Sequence, residues 1–160
     1  MRTIFSELGV TAIYVTHDRD EAFAIADTVA VMNHGRLVRK GTPEELWTDP
    51  QEEFVAVMLG FNAIVGAKVN DGWADLGWAK VASDLPSGEH RLAIPPHAVT
   101  VASHGPIEGI VVNSTYRAGE YHTEIAVGDS IINATTKKRH EPRDPISFHL
   151  TASRLVEIHN

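Results

Sequence analysis

Short apolar runs alternate with helix-spaced apolar residues along the part of the chain before residue 61. Residues Thr11 to Val15 (TAIYV) form a continuous run of β-branched and aromatic residues, which is typical of a strand buried on both faces in a parallel sheet. Before it, Ile4, Phe5 and Leu8 recur at helical spacing and Gly9 follows them. The sequence therefore predicts the last turns of a helix, followed by a buried strand.

A second helix and a hairpin are predicted after the polar stretch THDRD. Either Asp18 or Asp20 can cap this helix, whose apolar positions recur at helical spacing: Ala22, Phe23, Ala26 and Val29. The stretches TVAVMN and RLVRKG are predicted to pair as a β-hairpin. Its tight turn is NHG, where Asn33 or Gly35 can adopt a positive φ.

Two more short helices are predicted before residue 61. The stretch Thr42-Pro43-Glu44-Glu45 has the form of a capping box with proline at the first helical position, so a helix begins there. The stretch DPQEEFVAVMLG restarts the helical pattern and ends at Gly60, with three apolar residues on one face: Phe54, Val57 and Met58.

The hydrophobic pattern changes after Gly60. From Ala63 to Ile158, apolar and polar residues alternate in short stretches separated by Gly, Pro, Asn and Asp turns. Strands at this spacing, in roughly a hundred residues, are typical of a small barrel or sandwich. We therefore expect an all-β domain with its boundary near residues 60 to 63.

Composition limits the class of partner. The formal net charge is −7, and ten acidic residues oppose five basic ones before Phe61. Because neither part of the chain has the basic stripe that phosphate-backbone binding requires, no nucleic acid is expected as a partner. There is no cysteine, which excludes disulfides and thiolate metal sites. No apolar run approaches the roughly 20 residues that span a bilayer, so we expect a soluble, cytoplasmic protein.

His17 stands where the predicted strand TAIYV ends and the next helix begins. The end of a parallel strand, in the loop before a helix, is the usual ligand position of open α/β sheets. Position alone leaves two interpretations open: a functional histidine, or a polar residue satisfied by a neighbouring backbone group.

A longer pattern surrounds His17. Its positions are Thr16-His17-Asp18, Glu21-Ala22, Asp27 to Val29, Met32 to Gly35 and Gly41 to Glu45. The pattern is ungapped through Trp47 and continues into FVAVMLGFN (Phe54 to Asn62). It resembles the histidine-switch segment of ABC transporter ATPases, in the importer branch that takes up sugars, polyamines, sulfate or ferric iron.

The resemblance implies a role for His17. In that family the switch histidine hydrogen-bonds the γ-phosphate of ATP and helps to orient the attacking water. An imidazole suits this role because it can donate one hydrogen bond to a phosphate oxygen, and charge stabilisation dominates phosphoryl transfer. His17 is therefore the predicted catalytic and cofactor-binding residue, in the context of the full-length protein, and no metal-binding residue is predicted.

The resemblance also implies a fold and a cellular setting. The fold class is α+β: residues 1–60 are the C-terminal end of an α/β P-loop ATPase domain, and residues 61–160 are a small all-β, OB-like barrel. The full-length protein would bind ATP and Mg²⁺ and form a homodimer with a second ATPase subunit. It would dock against membrane permease subunits on the inner face of the cell membrane, and would serve a solute-binding protein indirectly.

Other motifs of an ATPase site do not occur in the sequence. There is no G-x-x-x-x-G-K-[ST] loop, no Leu-Ser-Gly-Gly signature and no apolar strand ending in Asp-Glu. The nearest decoy, Gly35 to Thr42, ends in Lys-Gly-Thr and lies in the predicted hairpin. We therefore expect this chain to be the C-terminal part of an importer ATPase that by itself binds no cofactor and hydrolyses no ATP.

The second domain resembles the transport-associated OB domain of the same importer ATPases. In GEHRLAIPPHAVTVA, the matching positions are Ile94, Pro96 and Val99. The family's Arg-Pro-Glu is replaced by Pro95-Pro96-His97, so both charges of a predicted ion-pair network are lost. The alternative function is a standalone regulatory module that binds a small molecule or an oxyanion in this domain.

Three further features have an open interpretation. The eight remaining histidines show no i, i+4 ligand spacing, which argues against a metal site. Trp73 and Trp78 could form a binding platform or pack within a hairpin. The run from Lys137 to His140 is either a solvated loop or a weakly attractive surface for anions.

Overall fold

A computed structural model describes residues 10–61 and 63–159. These residues divide into two compact units, of which the first ends at Leu59 and the second comprises Gly60–His159. Strands predominate, and the α-helices of the described residues all lie in the first unit. The helix end predicted at Thr3 to Leu8 falls outside the described residues. No helix in the described ranges is long and apolar enough to cross a membrane.

The first unit consists of three short helices and one hairpin. Its elements are α1 (Arg19–Ile25), β1 (Val29–Asn33), β2 (Arg36–Gly41), α2 (Pro43–Thr48) and α3 (Glu53–Met58). The hairpin β1–β2 is antiparallel, as predicted. Positive φ occurs at His34 (46°) and Gly35 (76°), and not at Asn33, because a two-residue hairpin loop of this hand needs positive φ at both central residues.

The predicted helix caps are largely confirmed. Asp18 caps α1, and its carboxylate accepts from the Glu21 amide. Thr42 and Glu45 form the reciprocal capping box of α2. In α3 the predicted apolar face is largely exposed: Phe54 and Val57 are 41% and 46% exposed, while the buried residues at this helix are Val55, Ala56 and Leu59. Because α3 has only six residues, the spacing of two apolar residues does not fix its buried side.

The run Thr11 to Val15, predicted as a buried strand, is not a strand in the structure. Ile13 and Val15 are 93% and 89% exposed. A strand forms only with a hydrogen-bonding neighbour, and no strand among the described residues pairs with this run. A β-prone sequence without a partner therefore stays outside any sheet and exposed here.

The second unit is all β, as predicted. Its strands are β3 (Ala63–Asn70), β4 (Trp73–Asp75), β5 (Lys80–Ala82), β6 (Gly88–Ile94), β7 (Val99–Ala102), β8 (Ile107–Arg117), β9 (Glu120–Val127), β10 (Ser130–Thr136), β11 (Pro145–Leu150) and β12 (Val156–Glu157). They form two five-stranded antiparallel sheets, in the orders β12-β6-β3-β4-β5 and β10-β9-β8-β11-β7. This architecture is consistent with the predicted OB-like domain.

A single apolar cluster fills the second unit. Alternate residues of the strands point inward, as the pattern of β3 illustrates: Ala63, Val65, Ala67 and Val69 are all buried. Trp78 packs against this cluster with its ring centroid 6.4 Å from that of Phe148. Trp73 is 55% exposed on β4. Trp78 therefore packs against the core, whereas Trp73 is exposed to solvent.

Candidate functional site

His17 lies in the bend between the unpaired run and α1, and its side chain is exposed. Among the residues that the structure describes, its ring forms no hydrogen bond with a protein group. The described part of the chain therefore provides no hydrogen-bond partner for the His17 imidazole.

Hydrogen bonds fix the backbone on both sides of His17. The Thr16 hydroxyl accepts from the Asp18 amide at 3.0 Å and donates to Glu21 Oε2 at 2.8 Å. The Tyr14 hydroxyl donates to the same carboxylate oxygen at 3.0 Å. Asp18 Oδ1 in turn accepts from the Glu21 amide at 3.0 Å. The two residues next to His17 are thus both tied to the first turn of α1.

These contacts change the protonation of the neighbouring groups. The hydrogen bond from the Glu21 amide lowers the pKa of Asp18, since it favours the ionised carboxylate. The hydrogen bond to the Glu21 carboxylate raises the pKa of Tyr14, which therefore keeps its proton. An ionised carboxylate consequently stands directly after His17 in the chain.

Arg19, the nearest cation in the sequence, is already engaged. Its guanidinium contacts the Asp20 carboxylate at 2.9 Å and also donates to the Leu59 carbonyl. The Nε and Nη1 groups of Arg19 are thus already used within the chain. Among the ionisable side chains from Tyr14 to Glu21, that of His17 is the one without a hydrogen bond to another described residue.

The Gly-Thr-Pro-x-Glu part of the motif has a structural explanation. The Thr42 amide donates to Glu45 Oε2 at 2.8 Å, and the Glu45 amide donates to the Thr42 hydroxyl at 3.2 Å. A Cβ at Gly41 would lie 3.0 Å from Glu45 Oε2, so a side chain there would press on the capping carboxylate. Gly41, Thr42 and Glu45 therefore act together to begin α2.

The Pro95-Pro96-His97 segment of the second unit contains a neutral imidazole. Burial, and to a lesser degree the charge of Arg154, lower the pKa of His97. The ring of His97 lies edge-on to Phe61, with centroids 6.3 Å apart, and Arg154 donates to the His97 carbonyl. Where the family has two charges, this chain has a packed ring and a main-chain acceptor.

A chain of hydroxyl groups crosses β8, β9 and β10. Thr136 donates to the Lys138 carbonyl at 2.8 Å, so the proton between Thr136 and Thr123 (3.2 Å) comes from Thr123. The proton between Thr123 and Ser114 (3.1 Å) then comes from Ser114. All three protons are used within the chain, so these hydroxyls offer lone pairs and no donor. This arrangement does not favour an oxyanion ligand at this place.

Neither the remaining histidines nor the basic run provides a defined site. Across residues 10–61 and 63–159, no three His, Asp or Glu side chains are grouped as metal ligands. In the run from Lys137 to His140, the first three residues are exposed and Arg139 contacts Glu141 at 3.4 Å. This agrees with a solvated loop.

Sequence reasoning missed the part played by Glu21. Its carboxylate accepts from both Tyr14 and Thr16, seven and five residues earlier. Tyr14 and Thr16 lie before α1 and outside any strand, so no helical or strand periodicity marks the contact. The signal available was chemical: two hydroxyl side chains precede a carboxylate that lies in the first helical turn.

Comparison with known proteins reveals extensive similarity. No protein-family model matches the chain. The Fe(3+) ions import ATP-binding protein FbpC of Streptomyces avermitilis is 47% identical over 104 residues, which is 64% of this chain and 30% of the relative. The sulfate/thiosulfate import ATP-binding protein CysA of Brucella melitensis is 35% identical over 133 residues, 80% of this chain and 37% of the relative. FbpC of Rhizobium etli is 34% identical over 154 residues, 89% of this chain and 44% of the relative.

The chain thus spans between 30% and 44% of the length of these relatives. Different imported ions, Fe(3+) and sulfate/thiosulfate, appear in their names, while "import ATP-binding protein" is common to all three. The similarity and the motif around His17 agree on one family. The chain belongs to the ATP-binding proteins of ABC importers.

Proposed function

We propose that this chain is the C-terminal part of an ABC importer's ATP-binding subunit, and that His17 contacts the γ-phosphate of ATP in the full-length protein. The observation that carries the proposal is an exposed imidazole that forms no hydrogen bond with any described residue and stands between two anchored residues, Thr16 and Asp18. It occurs within a sequence related to import ATP-binding proteins.

The geometry supports a hydrogen-bond donor that needs little rearrangement. Because Thr16 and Asp18 are both tied to Glu21, the backbone at His17 has restricted freedom before any ligand arrives. A preorganised donor stabilises developing charge at little reorganisation cost, which is the main source of catalysis in phosphoryl transfer. His17 would donate one hydrogen bond to a phosphate oxygen.

The proposal extends to fold and partners. Residues 1–60 would be the end of a P-loop ATPase domain, in which the run Thr11 to Val15 pairs with strands contributed by other residues of the full-length protein. Residues 61–160 would be its OB-like regulatory domain. That protein would use ATP with Mg²⁺, form a homodimer, and dock on permease subunits at the inner face of the membrane to energise solute uptake.

A chimeric subunit tests the role of His17. The segment of Streptomyces avermitilis FbpC that is 47% identical over 104 residues is replaced by the matching residues of this chain. We expect His17→Ala to lower ATP turnover by about 10²-fold, which is typical for the loss of one preorganised donor, and to leave ATP binding within a few-fold. Phosphate release measures turnover, and a fluorescent nucleotide titration measures binding.

Two further arms complete that experiment. His34→Asn is the matched control, because His34 is another exposed histidine of the first unit and asparagine tolerates its positive φ of 46°. It should leave turnover unchanged. The 160-residue chain alone should release no phosphate, since its sequence has no phosphate-binding loop. Normal turnover in the His17→Ala chimera would refute the role of His17. ATP turnover by the pure 160-residue chain would refute the proposal that hydrolysis requires residues of the full-length protein outside this chain.

A further inference from the structure

His90 of β6 holds together two segments at one end of the second unit. Its side chain is only 11% exposed. Nδ1 lies 2.6 Å from Glu157 Oε1, on the last strand β12, and Nε2 lies 2.8 Å from the carbonyl oxygen of Pro86, in the loop before β6. Both ring nitrogens therefore face an oxygen, 67 and 4 residues away respectively.

Counting protons shows what this contact requires. A carbonyl oxygen can only accept, so Nε2 must carry a proton. Nδ1 faces a carboxylate oxygen, so a second proton must lie between Nδ1 and Oε1. Neutral His90 beside ionised Glu157 would bring two lone pairs to 2.6 Å. The contact thus needs one proton more than a neutral imidazole supplies.

Among the described neighbours of His90 and Glu157, His159 is a second histidine in contact with the Glu157 carboxylate. On β3, the residue opposite His90 is the apolar Ala67. Glu89 and Arg91 are its neighbours on β6, where successive side chains alternate between faces. Beyond β12, His159 Nε2 lies 4.0 Å from Glu157 Oε2 with its side chain 58% exposed. In the loop that carries Pro86, the charged residue is the exposed Asp84.

The last strand depends on this contact because it is short. β12 has two residues, Val156 and Glu157, which pair with Ala93 and Leu92 of β6. The next amide, of Ile158, donates to the Arg91 carbonyl at 2.9 Å, and the Ile158 side chain is 4% exposed. Release of Glu157 would therefore weaken a two-residue ladder and the burial of the isoleucine that follows it.

We propose that His90, Glu157 and the Pro86 carbonyl form a proton-dependent latch. When the His90 ring carries both protons, the latch attaches β12 and the loop that contains Pro86 to β6, and it releases them as the pH rises. The latch makes the end of the second unit a pH-responsive element. It involves no residue of the His17 site and stands independently of the proposed function.

The direction of the pH dependence follows from the contacts. The hydrogen bond to Glu157, followed by that to the Pro86 carbonyl, raises the pKa of His90 above its ordinary value of 6.5, against the opposing effect of burial. A group whose pKa is raised in the folded state stabilises that state fully below the unfolded pKa, and this stabilisation is lost as the pH rises through the folded pKa. The latch is therefore closed below pH 6.5 and opens on the alkaline side.

Amide hydrogen exchange of the full chain tests the latch. The readout is the protection factor of the Ile158 amide, corrected for the intrinsic pH dependence of exchange and followed by NMR from slightly acidic to alkaline pH. In the wild type we expect protection to fall by roughly 10–100-fold as the latch opens, the range for one hydrogen bond between charged partners. Over the same pH range, the ¹⁵N shifts of His90 should change from a doubly protonated ring to a singly protonated one.

Glu157→Gln is the decisive variant. Its amide can donate to Nδ1 of neutral His90 while Nε2 still donates to Pro86, so the latch would stay closed without the extra proton. We expect Ile158 protection in this variant to vary less than about threefold over the pH range, set against the 10–100-fold change expected of the wild type. His159→Gln is the matched control and should behave as the wild type.

Two results would overturn the proposal. One is a Glu157→Gln variant whose Ile158 protection falls with pH as in the wild type. The other is obtained from the wild type alone: ¹⁵N shifts that show a neutral His90 ring below pH 6.5, the ordinary pKa of histidine.

Discussion

The two units differ in how their apolar residues find partners. The second unit places its buried residues between two five-stranded sheets, in one continuous cluster. The first unit has a two-stranded hairpin as its only sheet among the described residues, and it exposes 93% of Ile13 and 89% of Val15. Similar β-prone sequence thus gives a closed core in one unit and an unpaired run in the other.

This contrast separates local from long-range determinants of structure. Caps and turns shape the first unit: Asp18 begins α1, Thr42 begins α2, and His34 with Gly35 closes the hairpin. Strand pairing over long sequence distances shapes the second unit, where β11 lies between β7 and β8. The first unit should therefore respond mainly to changes in single hydrogen bonds, and the second to changes in core volume.

The largest expected effect is in the core of the second unit. Phe148 is fully buried and its ring lies 6.4 Å from Trp78. We expect Phe148→Ala to lower the free energy of unfolding by about 3–5 kcal/mol, because it removes apolar contacts and leaves a cavity. Urea denaturation followed by tryptophan fluorescence measures the change.

Phe54→Ala in the first unit is the matched control for that substitution. Since Phe54 is 41% exposed, its truncation should cost less than about 1 kcal/mol. Equal losses for the two phenylalanines would contradict the contrast between the units.

The elements that sequence predicted well are those with a local cause. The capping box at Thr42 and Glu45 involves residues three positions apart, and the β1–β2 hairpin has its turn signal between its strands. Both are present in the structure. The prediction of a strand at Thr11 to Val15 was wrong. The residues of this run favour β-structure, but a strand also requires a hydrogen-bonded neighbouring strand, which the composition of the run does not provide.

The candidate sites show the same limit. His17 and Glu21 both belong to the sequence motif, but the motif did not indicate that Glu21 accepts hydrogen bonds from Tyr14 and Thr16. His90 and Glu157 are 67 residues apart, so their contact depends on β6 and β12 being neighbours in the sheet. Sequence identified residues whose chemistry is local, and missed pairs created by topology.

An intermediate effect is expected from the exposed run of the first unit. Large apolar side chains that stand out in water favour self-association, and Ile13 and Val15 are the most exposed of the large apolar residues described. We expect the double change Ile13→Thr and Val15→Thr to weaken self-association by about tenfold or more, since each side chain contributes 1.5–3 kcal/mol when buried at a contact. Sedimentation velocity over a concentration series gives the dissociation constant.

Ile131→Thr provides the comparison in the second unit. Ile131 is 55% exposed on β10, an edge strand that pairs with β9 along its whole length. Its replacement should leave the dissociation constant within about twofold, because an isolated exposed apolar residue is ordinary on a protein surface. A larger effect for Ile131 than for the double change would place the associating surface on the second unit.

The smallest expected effect concerns a single helix cap of the first unit. Thr42→Ala removes the hydroxyl that accepts from the Glu45 amide at 3.2 Å, and leaves that amide without its partner at the start of α2. The expected cost is about 1 kcal/mol in the free energy of unfolding, measured by urea denaturation. The backbone amides of residues 42–48 should lose protection from hydrogen exchange, while those of the second unit keep their protection.

Thr48→Ala is the matched control, because the Thr48 hydroxyl donates to the Glu44 carbonyl within the helix and does not cap its first turn. If Thr48→Ala proved as costly as Thr42→Ala, the capping hydrogen bond would not be what holds α2 in place, and the first unit would depend on packing as the second does.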